Sequence, residues 1–493
     1  MSSNQGNYRS IFKATAILGS VQLFNIVIGI IRNKIVSLIL GPAGMGIVGM
    51  LTSATQTVNG FTNCGLTTSA VKNLSVAYEE KDITALGKAL YVLRRLLWST
   101  GILGALVALV LSKQLSIWSF GNEDFTLSFA ILSISLIITQ LTNGNIVILK
   151  ACRQIKLYAK ANVLGNFLSL FITLPLYYIW GAAAIVPVLL SMNVTTFVCA
   201  YIYQRKLNIA EVKTEQQEFK EISWDIFKVG IAFAVSEVFP LMASYLIRAN
   251  ISNVGGLTDV GLYSAGFAIL NGYVGMIFTA MSSDYIPRLS GLVKDDNACE
   301  VTINSQLQLS FLILFPILAL FIVFSKVIVY ILYSAEFFAM TGMLYWGALA
   351  MLFKTLNWCY GCILIPKRDS KVYFIFSVLS AAVYLGASVL LYNYLGVTGL
   401  GVAFLISHFF DFIPGYIYVS RKYGIKVFGN VLFQFCISVA VLAMVIAANA
   451  LLEGGMLLYC IDFVACLFAL LYSIYNLNKL MNLKSFILSK IRN

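Results

Sequence analysis

Two arginines, Arg32 and Arg248, stand 216 residues apart inside long apolar runs. A guanidinium grips phosphate oxygens through two parallel hydrogen bonds, so both are candidates for holding an anionic headgroup. The alternative is that both lie near a membrane interface and snorkel to lipid phosphates. Arg32 also ends a polar stripe. Gln22, Asn25, Gly29 and Arg32 recur at helical spacing, and Thr52, Thr55, Gln56, Asn59 and Asn63 share a face of the next apolar run. Ser135, Thr139, Gln140 and Asn143 add polar groups farther along. Such stripes avoid lipid, so they line a hydrated cavity or hydrogen-bond one helix to another. Lys354, with Asn357 one turn away, lies deep in an apolar run and requires a carboxylate or a wet cavity. Glu237 and Asp411 are carboxylates in comparable positions, which makes proton or sodium coupling their functional reading and pairing with Arg248 or Lys354 the structural one. His408, the only histidine, reads as an ordinary buried side chain.

The elements that must position these residues are membrane helices. Of 493 residues 59% are hydrophobic and 11% charged, with mean hydropathy +0.86, whereas a soluble domain is about one quarter charged. In lipid each long apolar run must satisfy its own backbone and is therefore helical. The fold class is all-α and polytopic, with about fourteen spans: 13–38, 43–70, 90–112, 125–148, 161–179 and 182–203, then 225–249, 260–283, 304–332, 338–364, 371–392, 397–420, 428–451 and 455–477. Residues 1–203 form a first lobe, 204–224 a cytoplasmic connector, 225–424 a second lobe, and 425–493 two further spans with a basic tail. With the N-terminus inside, all Lys and Arg except Arg32, Lys34, Lys113, Arg248, Lys326 and Lys354 fall in cytoplasmic segments, so both termini are expected there. No cleavable signal peptide is evident.

A repeat shows through. Ile11-Phe12-Lys13 and Ile226-Phe227-Lys228 open corresponding spans 215 residues apart, and Gly46 and Gly261 keep that offset. Two lobes starting in the same orientation follow.

Other classes are poorly supported. The net charge of +13 is dispersed between spans, which argues against nucleic acid. Gly44-Met45-Gly46-Ile47-Val48-Gly49 matches a dinucleotide fingerprint but joins two apolar helices and reads as a turn with close packing. No P-loop occurs, no nucleophile, base and acid cluster, and Cys359-x-x-Cys362 lacks a redox fold around it, so no enzyme, metal or cofactor is expected. A drug or organic-cation antiporter should present acids and aromatics to its cavity, whereas the spans of the first lobe contain basic and neutral polar residues and no buried carboxylate. A membrane polymerase or glycosyltransferase needs large outer loops or a carboxylate-rich segment, and the outer loops here are short.

The stretches Ile28 to Lys34 and Leu40-Gly41-Pro42-Ala43-Gly44-Met45-Gly46, with Asp284-Tyr285-Ile286-Pro287-Arg288-Leu289-Ser290, resemble the O-antigen translocase (Wzx) family. This is the polysaccharide branch of the multidrug/oligosaccharidyl-lipid/polysaccharide exporter superfamily. The resemblance implies a two-lobed, V-shaped bundle with alternating access. It implies a cargo of undecaprenyl-pyrophosphate-linked oligosaccharide, moved to the periplasmic leaflet of a bacterial inner membrane. Membrane lipids and polysaccharide polymerase machinery are the partners it suggests. Many members have twelve spans; related fourteen-span lipid flippases use the extra pair as a groove for the lipid tail.

Overall fold

The computed structural model describes residues 2–452 and 455–481, and among these there is no strand. The helices are α1 (Ser2–Asn63), α2 (Leu66–Glu79), α3 (Ile83–Val110), α4 (Ser112–Phe120), α5 (Thr126–Ala151), α6 (Ile155–Trp180), α7 (Ile185–Arg205) and α8 (Gln216–Gly255). Then follow α9 (Leu257–Phe267), a π-helical turn (Ala268–Val274), α10 (Met276–Gly291), α11 (Asp296–Val323), α12 (Ser325–Leu332), α13 (Thr341–Gly361), α14 (Ser370–Tyr423), α15 (Gly429–Leu451) and α16 (Met456–Met481). Ten stretches among the described residues are long and apolar enough to cross a bilayer. The chain is a multi-pass membrane protein. Three of those stretches are broken inside: α1 at Gly41, the α6–α7 run at Gly181, and α14 at Gly396. The basic residues of the expected tail, Lys484, Lys490 and Arg492, lie outside the described residues.

The break in α1 shows why the sequence turns there. Gly41 has φ 62°, which a side chain would resist, and Pro42 has no N–H to return to the preceding turn. One compact unit comprises Met1–Ser264 with Leu332–Ser334; the other comprises Ala265–Ile331 with Ala335–Asn493.

The internal repeat is written most clearly in the turns. Positive-φ residues pair at a constant offset of 215: Gly41 with Gly256, Gly181 with Gly396, and Arg153 (φ 54°) with Arg368 (φ 58°). Asp82 accepts from the Ala85 amide at the start of α3, and Asp295 accepts from the Ala298 amide at the start of α11, so the helix caps repeat too. Non-glycine residues rarely occupy the left-handed region, so the Arg153 and Arg368 match is not explained by composition.

Within the first unit the second half of α1 packs against α8 and α9 along a seam of small residues. A Cβ at Gly46 would meet Leu257 O at 2.0 Å, and one at Gly261 would meet Pro42 O at 1.8 Å. Gly46 and Gly261 are each 3.1 Å, measured from that Cβ position, from the other's nitrogen, so the two copies of the repeat meet reciprocally here. At the opposite end of the seam a Cβ at Gly65 would meet Gly230 O at 2.0 Å, with Thr57 donating to Leu241 O at 3.3 Å between. Backbones approach this closely only where side chains are absent.

The connector is strapped down rather than slack. Val212 N donates to Gly87 O at 3.2 Å, Arg94 pairs with Glu211 and donates to Gln204 at 3.1 Å, and Lys88 pairs with Glu218 at 2.7 Å. Leu207 and Ile209 cover the core of α2, α3 and α5.

In the second unit, α14 is clasped at its two ends. Asp369 accepts from Lys422 at 2.7 Å and from the hydroxyls of Tyr418 and Tyr423; the Lys422 ammonium, foremost, holds its carboxyl below the usual carboxylate range.

Replacing Gly46 or Gly261 by Val forces carbon onto a backbone oxygen, a strain of about 1–3 kcal/mol. The thermal unfolding midpoint in detergent should fall by about 1–3 °C. Gly29→Ala, where a Cβ meets nothing within 4 Å, should leave it unchanged. Equal midpoints for all three variants would contradict the seam.

Candidate functional site

The first unit contains a cavity of about 350 Å³ walled by α1, α5, α6 and α7. Arg32 and Asn33 come from the first half of α1, Thr52, Thr55, Gln56 and Asn59 from the second, and Ser135 and Thr139 from α5. Tyr177, Met192 and Asn193 complete the polar and polarisable wall. Helical periodicity puts the α1 and α5 residues on one face, and the Gly41 break folds the two halves of α1 so that both stripes face the same space. Arg32 lies in the apolar run but is aimed inward; one of its contacts is Nη1 to Met192 Sδ at 3.9 Å. No carboxylate lines this cavity.

A second cavity of about 240 Å³ continues it. The two share Thr139 and Asn193, and the second adds Thr142, Asn143, Asn162, Asn166 and Thr196. Asn25 ties this wall together: it donates to Asn162 Oδ1 at 2.7 Å and accepts from Asn166 at 3.0 Å, while Asn166 also donates to Asn162 Oδ1 at 3.2 Å. Asn33, Asn162, Asn166, Asn193, Thr142 and Thr196 were not singled out from sequence. They occur singly or in pairs one turn apart, such as Asn162 with Asn166, too short a pattern to mark a face from sequence.

The remaining candidates are placed differently. Gln140 is fully buried and lines neither cavity; it donates to Asn63 Oδ1 at 3.3 Å and Thr100 Oγ1 at 3.2 Å, joining α5 to α1 and α3. The reason is rotational: Gln140 and Thr139 are adjacent in the helix, and only Thr139 faces the cavity. Asn63 belongs to that helix contact, and Gln22 is exposed. Arg248 is engaged within its own hairpin. Its Nη1 donates to Ser244 O at 2.9 Å and to the Ser244 hydroxyl, its Nε donates to Ser264 Oγ at 3.2 Å, and the guanidinium lies 5.0 Å from the Tyr263 ring centre. Glu237 is exposed on α8.

In the second unit Lys354 donates to Asn271 Oδ1 at 2.5 Å and sits 5.8 and 5.7 Å from the Phe278 and Phe404 ring centres. Asn271 belongs to the π-helical turn, a local distortion common at functional sites. Asp411 instead accepts from Ser380 at 2.6 Å and lies 3.7 Å from His408 Nδ1, so its partners are these and not Lys354. Asn357 donates to His408 O at 2.8 Å.

The Asp284 to Ser290 motif is a helix end. Tyr285 is fully buried and donates to Cys359 O at 2.8 Å, Arg288 pairs with Asp284 one turn back, and Pro287 is exposed. Cys359 and Cys362 are buried and unbonded. Gly44 and Gly46 are helical, and the turn is made by Gly41 and Pro42 alone.

A multi-helix membrane bundle with a partly open cavity that carries an arginine and several neutral polar groups has the architecture of a transporter. Solved structures agree on the fold. An inward-facing multidrug resistance MATE family transporter of the MOP superfamily superposes with TM-score 0.68 at 15% identity, covering 82% of this chain and 94% of that one. The lipid II flippase MurJ, in an inward closed conformation, superposes with TM-score 0.63 at 11% identity, covering 94% and 99%. Residues 35–342 match the family described as polysaccharide biosynthesis protein, and the chain belongs to that family. A Shigella flexneri protein, provisionally designated an O-antigen transporter, is 23% identical over 314 residues, 60% of this chain and 71% of that one.

Because Arg248 holds α8 to α9 through charge-assisted bonds, Arg248→Ala should destabilise the protein by about 1.5–3 kcal/mol. The checking measurement is thermal unfolding in detergent, where Arg248→Ala lowers the midpoint clearly; an unchanged midpoint contradicts the clamp.

Proposed function

We propose that this protein is a flippase for an undecaprenyl-pyrophosphate-linked oligosaccharide, an O-antigen or similar surface-polysaccharide repeat unit. It carries the cargo from the cytoplasmic to the periplasmic leaflet of a bacterial inner membrane, with fourteen spans and both termini cytoplasmic. The single observation that carries this reading is the cavity within the first unit, whose lining holds Arg32 as its one charge among neutral polar and apolar side chains and no carboxylate. An organic cation would find no counter-charge there, whereas a pyrophosphate finds a bidentate donor.

The chemistry suits an amphiphile in a second respect. Helix α7 presents Met192 and Asn193 to the polar cavity and Val186, Leu190 and Val194 to an apolar groove of about 770 Å³ on its other side. A sugar-pyrophosphate enters the first while a prenyl chain stays in contact with the second. Membership of the polysaccharide biosynthesis family supports a glycan cargo.

Movement follows from alternating access. The seam between the second half of α1 and α8 is sealed by Gly46 and Gly261 at one end and by Gly65 and Gly230 at the other. Parting one end at a time exposes the cavity to one side of the membrane at a time. No bond is made or broken, so the protein is not an enzyme. The driving energy comes from an ion gradient, for which Glu237 and Asp411 are the candidates, or from consumption of the cargo on the far side.

The test uses a deletion strain complemented with the wild type or Arg32→Ala. The deletion should accumulate a lipid-linked oligosaccharide, identified by mass. Arg32→Ala, at wild-type abundance, should leave surface polymer reduced at least about tenfold, the loss of one charge-assisted contact. Normal polymer in the variant, or no accumulated intermediate in the deletion, would sink the proposal.

A further inference from the structure

We infer that the sugar portion of the cargo lodges inside the N-terminal unit, in the carboxamide-lined tract around Asn143, Asn162 and Asn193, and that this tract selects uncharged sugars. The inference rests on the reading of the protein as a carrier of a glycan on a pyrophosphate lipid. It adds where the glycan sits and which glycans fit.

The two cavities adjoin, since Thr139 and Asn193 line both. Along α5 their linings run from Leu132 to Ile146, roughly 20 Å at the helical rise. Arg32 belongs to the larger cavity and the asparagine cluster to the smaller. An anionic group bound at Arg32 thus leaves the rest of the tract for whatever is attached to it.

The division of hydrogen-bonding labour in the wall is specific. Three of the wall's hydroxyls donate their protons to their own helices: Thr142 to Ile138 O at 2.7 Å, Thr196 to Met192 O at 2.9 Å and Thr173 to Ser169 O at 2.6 Å. Toward a ligand they offer lone pairs only. Donors toward a ligand come from the carboxamides and from the hydroxyls of Thr139 and Tyr177. The side chains of Asn143 and Asn193 make no protein hydrogen bond among the described residues, so both ends of each side-chain amide are available. Asn162 is more constrained: its Oδ1 accepts from both Asn25 and Asn166, which fixes the side chain with its own NH₂ uncommitted. Asn59 Oδ1, in the larger cavity, is a buried acceptor with no protein partner.

A wall that alternates fixed acceptors with amide donors matches hydroxyl and acetamido groups, each of which donates and accepts. It does not match a metal ion or an organic cation, because neither cavity has a carboxylate in its lining. A uronic acid would require a cation in the smaller cavity, and none lines it. Burying a carboxylate there without one is costly. Neutral sugars incur no such penalty.

The experiment uses the full-length protein in lipid nanodiscs and three probes. N,N′-diacetylchitobiose is the neutral saccharide, digalacturonic acid an acidic one of similar size, and inorganic pyrophosphate reports the arginine end. Saccharide contact is read by saturation-transfer NMR and pyrophosphate by phosphorus line broadening. The wild type should contact diacetylchitobiose at least about tenfold more strongly than digalacturonic acid, and Asn143→Ala/Asn193→Ala should lose about tenfold of that signal. The double variant should keep pyrophosphate broadening, which Arg32→Ala loses. An unchanged saccharide signal in the double variant, or equal signals from the two saccharides, overturns the inference. Pyrophosphate binding without any saccharide contact in the wild type overturns it while leaving the carrier reading intact; absence of both in the wild type removes the two together. Should the double variant lose pyrophosphate as well, Thr196→Val, which exchanges a hydroxyl for a methyl, takes its place, and an unchanged saccharide signal there is equally contradictory.

Discussion

A guanidinium and a set of carboxamides held at membrane depth have to be solvated by something, and everything else in the first unit answers that requirement. Lipid offers no hydrogen bonds, so the polar faces of α1 and α5 turn inward and enclose a chamber. Such groups are used in two ways. Asn25, Asn162, Asn166 and Gln140 bond helix to helix, whereas the side chains of Asn143 and Asn193 leave donors and acceptors toward the cavity.

The repeat gives the same problem two solutions. Backbone geometry is kept with fidelity: the left-handed turns at Gly41 and Gly256, Arg153 and Arg368, and Gly181 and Gly396 hold one offset. Side-chain use has diverged. Arg32 faces a cavity, whereas Arg248, one residue out of register, binds Ser244 and Ser264 and secures a hairpin. Where the copies touch, at Gly46 and Gly261, neither tolerates a Cβ. Close backbone approach of this kind makes a seal that is tight yet free of interlocking side chains.

Much of this was legible in the sequence, for identifiable reasons. Apolar length and Lys/Arg placement mark membrane helices because lipid punishes exposed backbone and buried charge. The α1 stripe was legible because several polar residues repeat at helical spacing in one stretch. Periodicity gives a face but not the neighbour it meets, and so Gln140 and Asn63, read as cavity wall, proved to be a contact between helices. Asn162 and Asn166, one turn apart on α6, and Asn193 on α7 escaped notice because so short a polar pattern is common in helices, and their grouping arises only when α1, α6 and α7 converge. Arg248 and Lys354 were recognisable as buried cations, but whether a cation faces cargo, a serine or an asparagine is decided by tertiary packing. The turn repeat was nearly invisible, because a left-handed Arg153 looks like any arginine in a sequence.

The central claim is that the tract inside the first unit is wet and open to polar cargo. In a background with the native cysteines replaced, Thr139→Cys, at the junction of the two cavities, is exposed in intact membranes to a charged, membrane-impermeant thiol reagent and separately to a lipid-soluble maleimide. A wet tract makes Cys introduced there react with the charged reagent, and added pyrophosphate slows that reaction. Modification by the lipid-soluble reagent alone would mean that the residue faces acyl chains or a dry core, and the account would be wrong.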